Sequence, residues 1–179
     1  MNDFERDNEW QRGIRDSILV PGFYGSYAAD GRYVFIDKGA LATALQRDFA
    51  VDTIVQGKDG AAVCIEEKIV RWPGYRYECY ALETHSCTVP GREKHGWMAY
   101  GQADYLLYAF QQADGSLDVH LIDFPSLKAW FWGRVDTFET FGPLNTLNRS
   151  AGRKVPLSMV RAAVKVWTRN IWKPEQVAA

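Results

Sequence analysis

The sequence predicts an α/β (α+β) fold in which a central mixed sheet of about four to five strands is flanked by helices. Three observations carry this. Trp10, Ile14 and Ile18 recur every fourth residue, the spacing of one helix face. Thr53-Ile54-Val55-Gln56 and Ala61-Ala62-Val63-Cys64-Ile65 are short runs rich in β-branched residues, with a turn signal between them at Asp59-Gly60. Asp114-Gly115 turns the chain into a further apolar run over 117–124, centred on Val119 to Ile122.

The chain has 179 residues, of which 47% are hydrophobic and 14% aromatic. It reads as one domain over 1–179, long enough to bury ~70% of its unfolded surface. The start, Met1-Asn2-Asp3-Phe4-Glu5-Arg6, is polar and lacks the apolar stretch of a secretory signal, and no run is long enough to cross a bilayer. Cys64, Cys79 and Cys87 are an odd set without a Cys-x-x-Cys pair, so reduced thiols and a cytoplasmic location are expected. A zinc site from Cys79, His85 and Cys87 matches no usual ligand spacing. A net charge of −1 gives no overall attraction to nucleic acid, so any such partner must be argued from local charge.

Taken in order, residues 3–19 read as an amphipathic helix capped by Asn2 or Asp3 and ended by Pro21-Gly22, with Glu5, Glu9 and Asp16 off its apolar stripe. Residues 23–38 alternate aromatic and small side chains around Asp30-Gly31, a first hairpin whose Tyr24 and Tyr27 either pack across the strands or stack on bases. A helix over 39–49, with Leu41, Leu45 and Phe49 on one stripe, delivers the chain to Asp52.

The hairpin from Asp52 to Lys68 is the centre of the prediction. A three-residue loop, Lys58-Asp59-Gly60, with Gly60 left-handed, sets Val55 opposite Val63, Thr53 opposite Ile65 and Asp52 opposite Glu66. Lys68 then shares their face and Glu67 points away, because side chains alternate along a strand. A four-residue loop would place Asp52 opposite Ile65 instead. Two carboxylates at ~4 Å repel by about 4 kcal/mol at an effective dielectric of ~20. A divalent cation between them offsets that repulsion, and Mg²⁺ prefers one or two carboxylates with water and phosphate. The alternative is a solvated face on which Lys68 neutralises Glu66; the apolar character of the strands favours a covered sheet.

Trp72-Pro73-Gly74-Tyr75 reads as a turn into a third strand over 77–86. A two-residue connection there would set Glu66 opposite Ala81 and Cys64 opposite Glu83, with Glu83 and His85 on the face of Glu66 and Lys68. Residues 97–111 are apolar enough for a helix buried nearly all round, with Gln102 and Asp104 as exceptions. Pro125 starts a short helix or turn through Trp132, and 134–155 form a long connection of weak periodicity. The last helix is expected over 156–172, with Leu157, Val160, Val164, Trp167 and Ile171 as its core stripe and Arg161, Lys165 and Arg169 on another face. With Arg153 and Lys154 these make a cationic ridge: from Arg149 onward there are seven Lys or Arg against Glu175 alone, as phosphate contacts require.

An acid ahead of one strand followed by Glu-x-Lys on the next, here Val51-Asp52 and Glu66-Glu67-Lys68, resembles the PD-(D/E)XK nuclease superfamily. The likeness spans a core of about 39–124 and implies a restriction-endonuclease-like fold that hydrolyses phosphodiester bonds, most simply in DNA, with Mg²⁺ or Mn²⁺. It implies Asp52 and Glu66 as metal ligands together with the backbone carbonyl of Glu67, and Glu83 as an additional one. Glu9 matches the acid that members bring from an early helix. His85 is a candidate ligand or proton shuttle. Gln102 with Tyr105 resembles the Gln-x-x-x-Tyr helix of some branches, although Leu106 holds the place expected for the Tyr. Lys68, raised further by its acids, is assigned to orienting water and stabilising the transition-state anion rather than to taking a proton. Arg153, Lys154, Arg161, Lys165 and Arg169 would bind the nucleic acid. The competing class is an inactive nuclease-like module, such as a DNA-binding accessory or phage-type inhibitor protein, and a metal-dependent enzyme on another phosphate substrate is a third. Monomer and homodimer both stay open.

Overall fold

A computed structural model describes residues 3–25, 33–35, 44–56, 60–73, 78–143 and 149–172. Its strands are β1 (Tyr33–Phe35), β2 (Thr53–Gln56), β3 (Ala62–Val70), β4 (Cys79–Cys87), β5 (Lys94–His95), β6 (Tyr105–Gln111), β7 (Leu117–Asp123), β8 (Glu139–Phe141), β9 (Ala151–Pro156) and β10 (Val166–Ile171). The α-helices are α1 (Asp3–Ile14), α2 (Trp97–Tyr100), α3 (Phe124–Trp132) and α4 (Leu157–Ala163). The class is mixed α/β, as the sequence predicts. The sheet content is larger: a six-stranded mixed sheet ordered β1-β2-β3-β6-β7-β10 and a second sheet ordered β5-β4-β9-β8. No helix among the described residues is long and apolar enough to cross a membrane.

The central strands β3, β6 and β7 of the main sheet pack on both faces. One face carries Ile65, Ile69, Leu107, Ala109, Val119 and Leu121 against Ile14, Ile18, Leu19, Phe23 and Tyr24 of the N-terminal helix. The other carries Leu106, Tyr108, Phe110 and Ile122 against Tyr80, Leu82, Trp97 and Phe124. Each fully buried Leu or Phe contributes roughly 1.5–3 kcal/mol relative to exposure. In β3 this two-sided packing sorts the charges. Glu67 shares the helix face with Ile65 and Ile69, while Glu66 and Lys68 lie on the face of Cys64 and Val70, toward the second sheet.

The β2–β3 register is the one the three-residue loop dictates, with Thr53 opposite Ile65 and Val55 opposite Val63. Gly60 has φ +81°, while Lys58 and Asp59 lie outside the described residues. β7 and α3 also match, and the Asp123 side chain caps α3 by accepting from the Ser126 amide at 2.9 Å.

Five expectations need correction. The stretch 97–111 is not a helix: α2 stops at Gly101, and Tyr105–Gln111 is a central strand paired parallel to β3. A strand buried on both faces loses its alternation and reads like a buried helix. The third strand exists as Cys79–Cys87 but belongs to the second sheet, paired with β5 and β9. Glu66 therefore faces Leu106, not Ala81, and Lys68 faces Tyr108. The 156–172 helix is α4 followed by β10, an edge strand on β7; the β-branched and aromatic run Val164, Val166, Trp167, Thr168 favours the extended chain. The 134–155 connection contains β8 and β9, which pair with each other. Pro21 does not end the first helix, which continues as a π-helix over Arg15–Tyr24 and buries Ile18, Leu19, Phe23 and Tyr24. Phe23 and Tyr24 are thus helical rather than hairpin residues. Asp30, Gly31, Tyr27 and Leu41 lie outside the described residues, and the described end of the 39–49 helix is a π-turn over Leu45–Phe49.

Candidate active site

The geometry around Asp52 begins with the way the chain leaves Leu45–Phe49. Ala50 is left-handed at φ 49°, and its amide and that of Val51 donate to the Gln46 and Leu45 carbonyls at 3.2 and 3.3 Å. This closes the helical turn and starts β2. Asp52 follows at once. Its amide donates to the Ile65 carbonyl at 2.9 Å, its Oδ2 accepts from the Glu67 amide at 2.9 Å, and its Oδ1 accepts from Gln46 Nε2 at 3.3 Å. β2 covers β3 only from Ala62 to Ile65, so the Glu66–Val70 half of β3 has β6 on one edge and the Asp52 turn on the other. In an extended strand one residue's N–H and C=O leave toward the same edge. The Glu67 carbonyl therefore points to the edge where its amide meets Asp52.

Glu66 is 4% exposed, and its Oε1 is ion-paired with Lys68 Nζ. Burial pushes its carboxyl up and the neighbouring Lys68 pulls it down. A charge repulsion and a hydrogen bond with Asp52 add to the upward shift, leaving the group at about 8. Burial alone would lower the Lys68 ammonium, but Glu66, then Asp52 and Glu83, outweigh it and hold it above the usual lysine range. The ammonium also stands 5.1 Å from the centroid of the Trp97 ring. Tyr100 from α2 completes the surround, its phenol raised by burial and then by Glu66. Asp52, Glu66 and Lys68 thus act on one another at the open edge of β3, with Glu66 buried and Lys68 about one third exposed, and not on a fully solvated face.

The other sequence-predicted residues divide. Glu83 approaches Lys68 across the gap between the sheets, its carboxyl raised by burial, lowered by Lys68 and by the Trp97 amide. Among the described residues no three His, Cys, Asp or Glu side chains form a metal-holding group. Glu9 is exposed on α1, and its neighbours Asn8, Gln11 and Arg12 line the cleft beside the site instead. Gln102 is exposed on a loop, where its amide donates to the Phe49 carbonyl at 2.7 Å. His85 is exposed on β4 beside His95 and bonded through Nδ1 to Thr84 Oγ1 at 3.0 Å.

The cationic ridge dissolves with its helix. Arg161 donates to the buried ring of His120 at 3.0 Å, Lys165 stacks on Trp167 at 4.4 Å, and Arg169 sits on β10 opposite Val119. Arg153 pairs with Asp136 at 3.5 Å and Lys154 with Glu139 at 2.6 Å on β9. These side chains are distributed over β9, α4 and the β10 edge strand rather than along one helix, and Lys154 and Arg161 line one pocket beside Thr137 and Glu139.

Sequence reasoning missed the support on the opposite face of β3. Glu67, 7% exposed, accepts hydrogen bonds from the Tyr24 hydroxyl and from Thr53 Oγ1, the latter at 2.5 Å. Burial raises its carboxyl, the two hydroxyls lower it, Asp52 raises it and Arg15 lowers it. The signal was present in the register, since Thr53 is diagonal to Glu67 on the hairpin. Tyr24 could not be placed without knowing that the first helix runs past Pro21.

The fold and site define a mixed α/β protein with a partly neutralised pair of carboxylates at an open strand edge. Comparison with family models, with curated proteins and with solved structures finds no match to this chain.

Proposed function

We propose that the protein is a metal-dependent nuclease that hydrolyses phosphodiester bonds, most simply in DNA, in the manner of the PD-(D/E)XK superfamily that its Asp52 and Glu66-Glu67-Lys68 resemble. The observation that carries this reading is the Asp52–Glu66 pair. One ammonium faces two carboxylates, and Glu66 is left at about 8. A protein that needed only an ion pair would avoid the second acid. The donor types suit a hard divalent ion: two carboxylates act on each other at this edge, the Glu67 backbone is tied to one of them, and Asp52, Glu67 and Lys68 line a cleft there. Asp52, Glu66 and the Glu67 carbonyl would hold Mg²⁺ or Mn²⁺, which when bound polarises a phosphoryl oxygen and acidifies water.

The chain's own residues do the rest. Gln46 and the Glu67 amide fix the Asp52 carboxylate, so its oxygens need no reorganisation. Lys68, held protonated by its acids, keeps its positive charge where a pentacovalent phosphate gathers negative charge. It therefore does not serve as the base. Trp97 and Tyr100 limit water around it.

A second reading has one observation in its favour. Glu66 and Lys68 already satisfy each other, so a nuclease-like binding module would keep the same cluster as an internal ion pair. One assay separates the two: plasmid and linear DNA incubated with the protein in Mg²⁺, Mn²⁺ or EDTA, beside thermal melting in the same buffers. Cleavage and a raised melting temperature with metal, both lost in EDTA, support the nuclease. DNA binding that ignores EDTA, with no cleavage in either metal, supports the module. The unpaired Cys64, Cys79 and Cys87 support a cytoplasmic location as part of this proposal.

A further inference from the structure

The polar side of the first helix does not face open water. Asn8, Gln11, Arg12 and Arg15, spaced i, i+3, i+4 and i+7, form one helical stripe, and all four line a cleft of about 540 Å³ whose floor includes Asp52 and Lys68. The composition of that stripe is selective. It has two amides and two guanidiniums, whereas Asp7, Glu9 and Asp16 of the same helix do not line the cleft. Gln46 adds a further amide from the opposite wall. Every one of these side chains can donate hydrogen bonds, and guanidinium matches the fork of phosphate oxygens.

We propose that this cleft seats one strand of nucleic acid, with Arg12 holding the phosphate next to the one that meets Asp52 and Lys68. The inference rests on the phosphodiester reading of those two residues and adds the strand's path and its positioning residue. Arg12 is exposed, and its hydrogen bond among the described residues runs from Nε to the Asn8 carbonyl of its own helix at 3.4 Å. Arg15 is 9% exposed, lies 3.8 Å from Asp16 and acts electrostatically on Glu67, which also lines the cleft, so Arg12 is the stripe's exposed cation. The cleft's volume is enough for a nucleotide or two of one strand, cavities of ~300–1,000 Å³ being the size that takes a ligand of drug size.

The test measures binding without metal. Fluorescence anisotropy of a labelled single-stranded oligothymidylate is followed in EDTA over a range of salt, for wild type, Arg12→Glu, Gln11→Glu and Arg92→Glu. Arg92→Glu makes the same charge change on the turn between β4 and β5. Arg12→Glu is expected to weaken binding at least about ten-fold and to lower the salt slope by about 0.7, one phosphate contact on a single strand. Gln11→Glu weakens binding in the same direction, and Arg92→Glu leaves it near wild type. Binding by Arg12→Glu and Gln11→Glu equal to wild type, an equal loss in Arg92→Glu, or tighter binding of a duplex overturns the inference. Cleavage in Mg²⁺ is scored separately. Arg12-dependent binding without cleavage keeps the cleft and removes the nuclease, while cleavage with Arg12-independent binding does the reverse.

Discussion

The state of Glu66 makes the metal affinity of the site depend on pH. With the carboxyl pushed up to about 8, a proton competes at neutral pH with any cation that takes Glu66 as its second carboxylate. The penalty is tenfold in affinity for each pH unit below the shifted value, about 1 kcal/mol at pH ~7 and about twice that at pH ~6. Apparent affinity for Mn²⁺ should therefore rise about fifty-fold from pH ~6 to pH ~8 and level off near a hundred-fold by pH ~9. Without metal the sign reverses. A carboxyl raised in the folded state lends stability that is complete below its unfolded value near 4.5 and is lost as pH climbs through about 8. The metal-free melting temperature should fall over that window while the shift produced by Mn²⁺ grows. Thermal melting titrated with Mn²⁺ at each pH reads both quantities. A Mn²⁺ affinity that does not change between pH ~6 and ~9, or is the same in Glu66→Gln, refutes the placement of Glu66 as a buried ligand.

Other perturbations test the frame around the site. Tyr24→Phe removes a donor to the buried Glu67 carboxyl and should cost ~1–3 kcal/mol, read as a lower midpoint in urea with an unchanged slope. Leu107→Ala, at a fully buried position on the parallel strand, should cost ~2–5 kcal/mol. Amide exchange should be slowest in the Leu106–Phe110 region, and fast exchange there would contradict a central strand. Gly152→Ala would place a Cβ 2.1 Å from the Leu82 carbonyl and 2.6 Å from the Phe141 ring, so β4, β8 and β9 must separate. A lower melting temperature by several degrees is expected, and an unchanged one would contradict that packing.

The parts of this protein that could be read from sequence are those decided by short-range rules. Gly60 fixed the loop, the loop fixed Thr53 opposite Ile65, and the pairing brought Asp52 to Glu66. The parts that could not be read are decided by which sheet a strand joins. Nothing local in 79–87 distinguishes a neighbour of β3 from a strand of a second sheet, so Glu83 reaches Lys68 from across the core rather than from an adjacent strand. The run at 105–111 has no period because both of its faces are buried, and 166–171 reads as a continuing helix because Trp167 and Ile171 happen to fall four apart. The polar stripe of the first helix is visible in the sequence. Only the open edge of β3 gives that stripe something to face.

The most direct measurement is the rate of Mg²⁺-dependent cleavage of a labelled single-stranded oligonucleotide by wild type and by Asp52→Asn, each shown folded by circular dichroism. The variant keeps the size of the side chain and one acceptor oxygen for the Glu67 amide, loses the acceptor for Gln46 Nε2, and removes one charge from the pair. Robust hydrolysis by wild type and a loss of at least about a hundred-fold in Asp52→Asn is the predicted outcome. Equal rates in the two, or no hydrolysis by wild type in either Mg²⁺ or Mn²⁺, would contradict it.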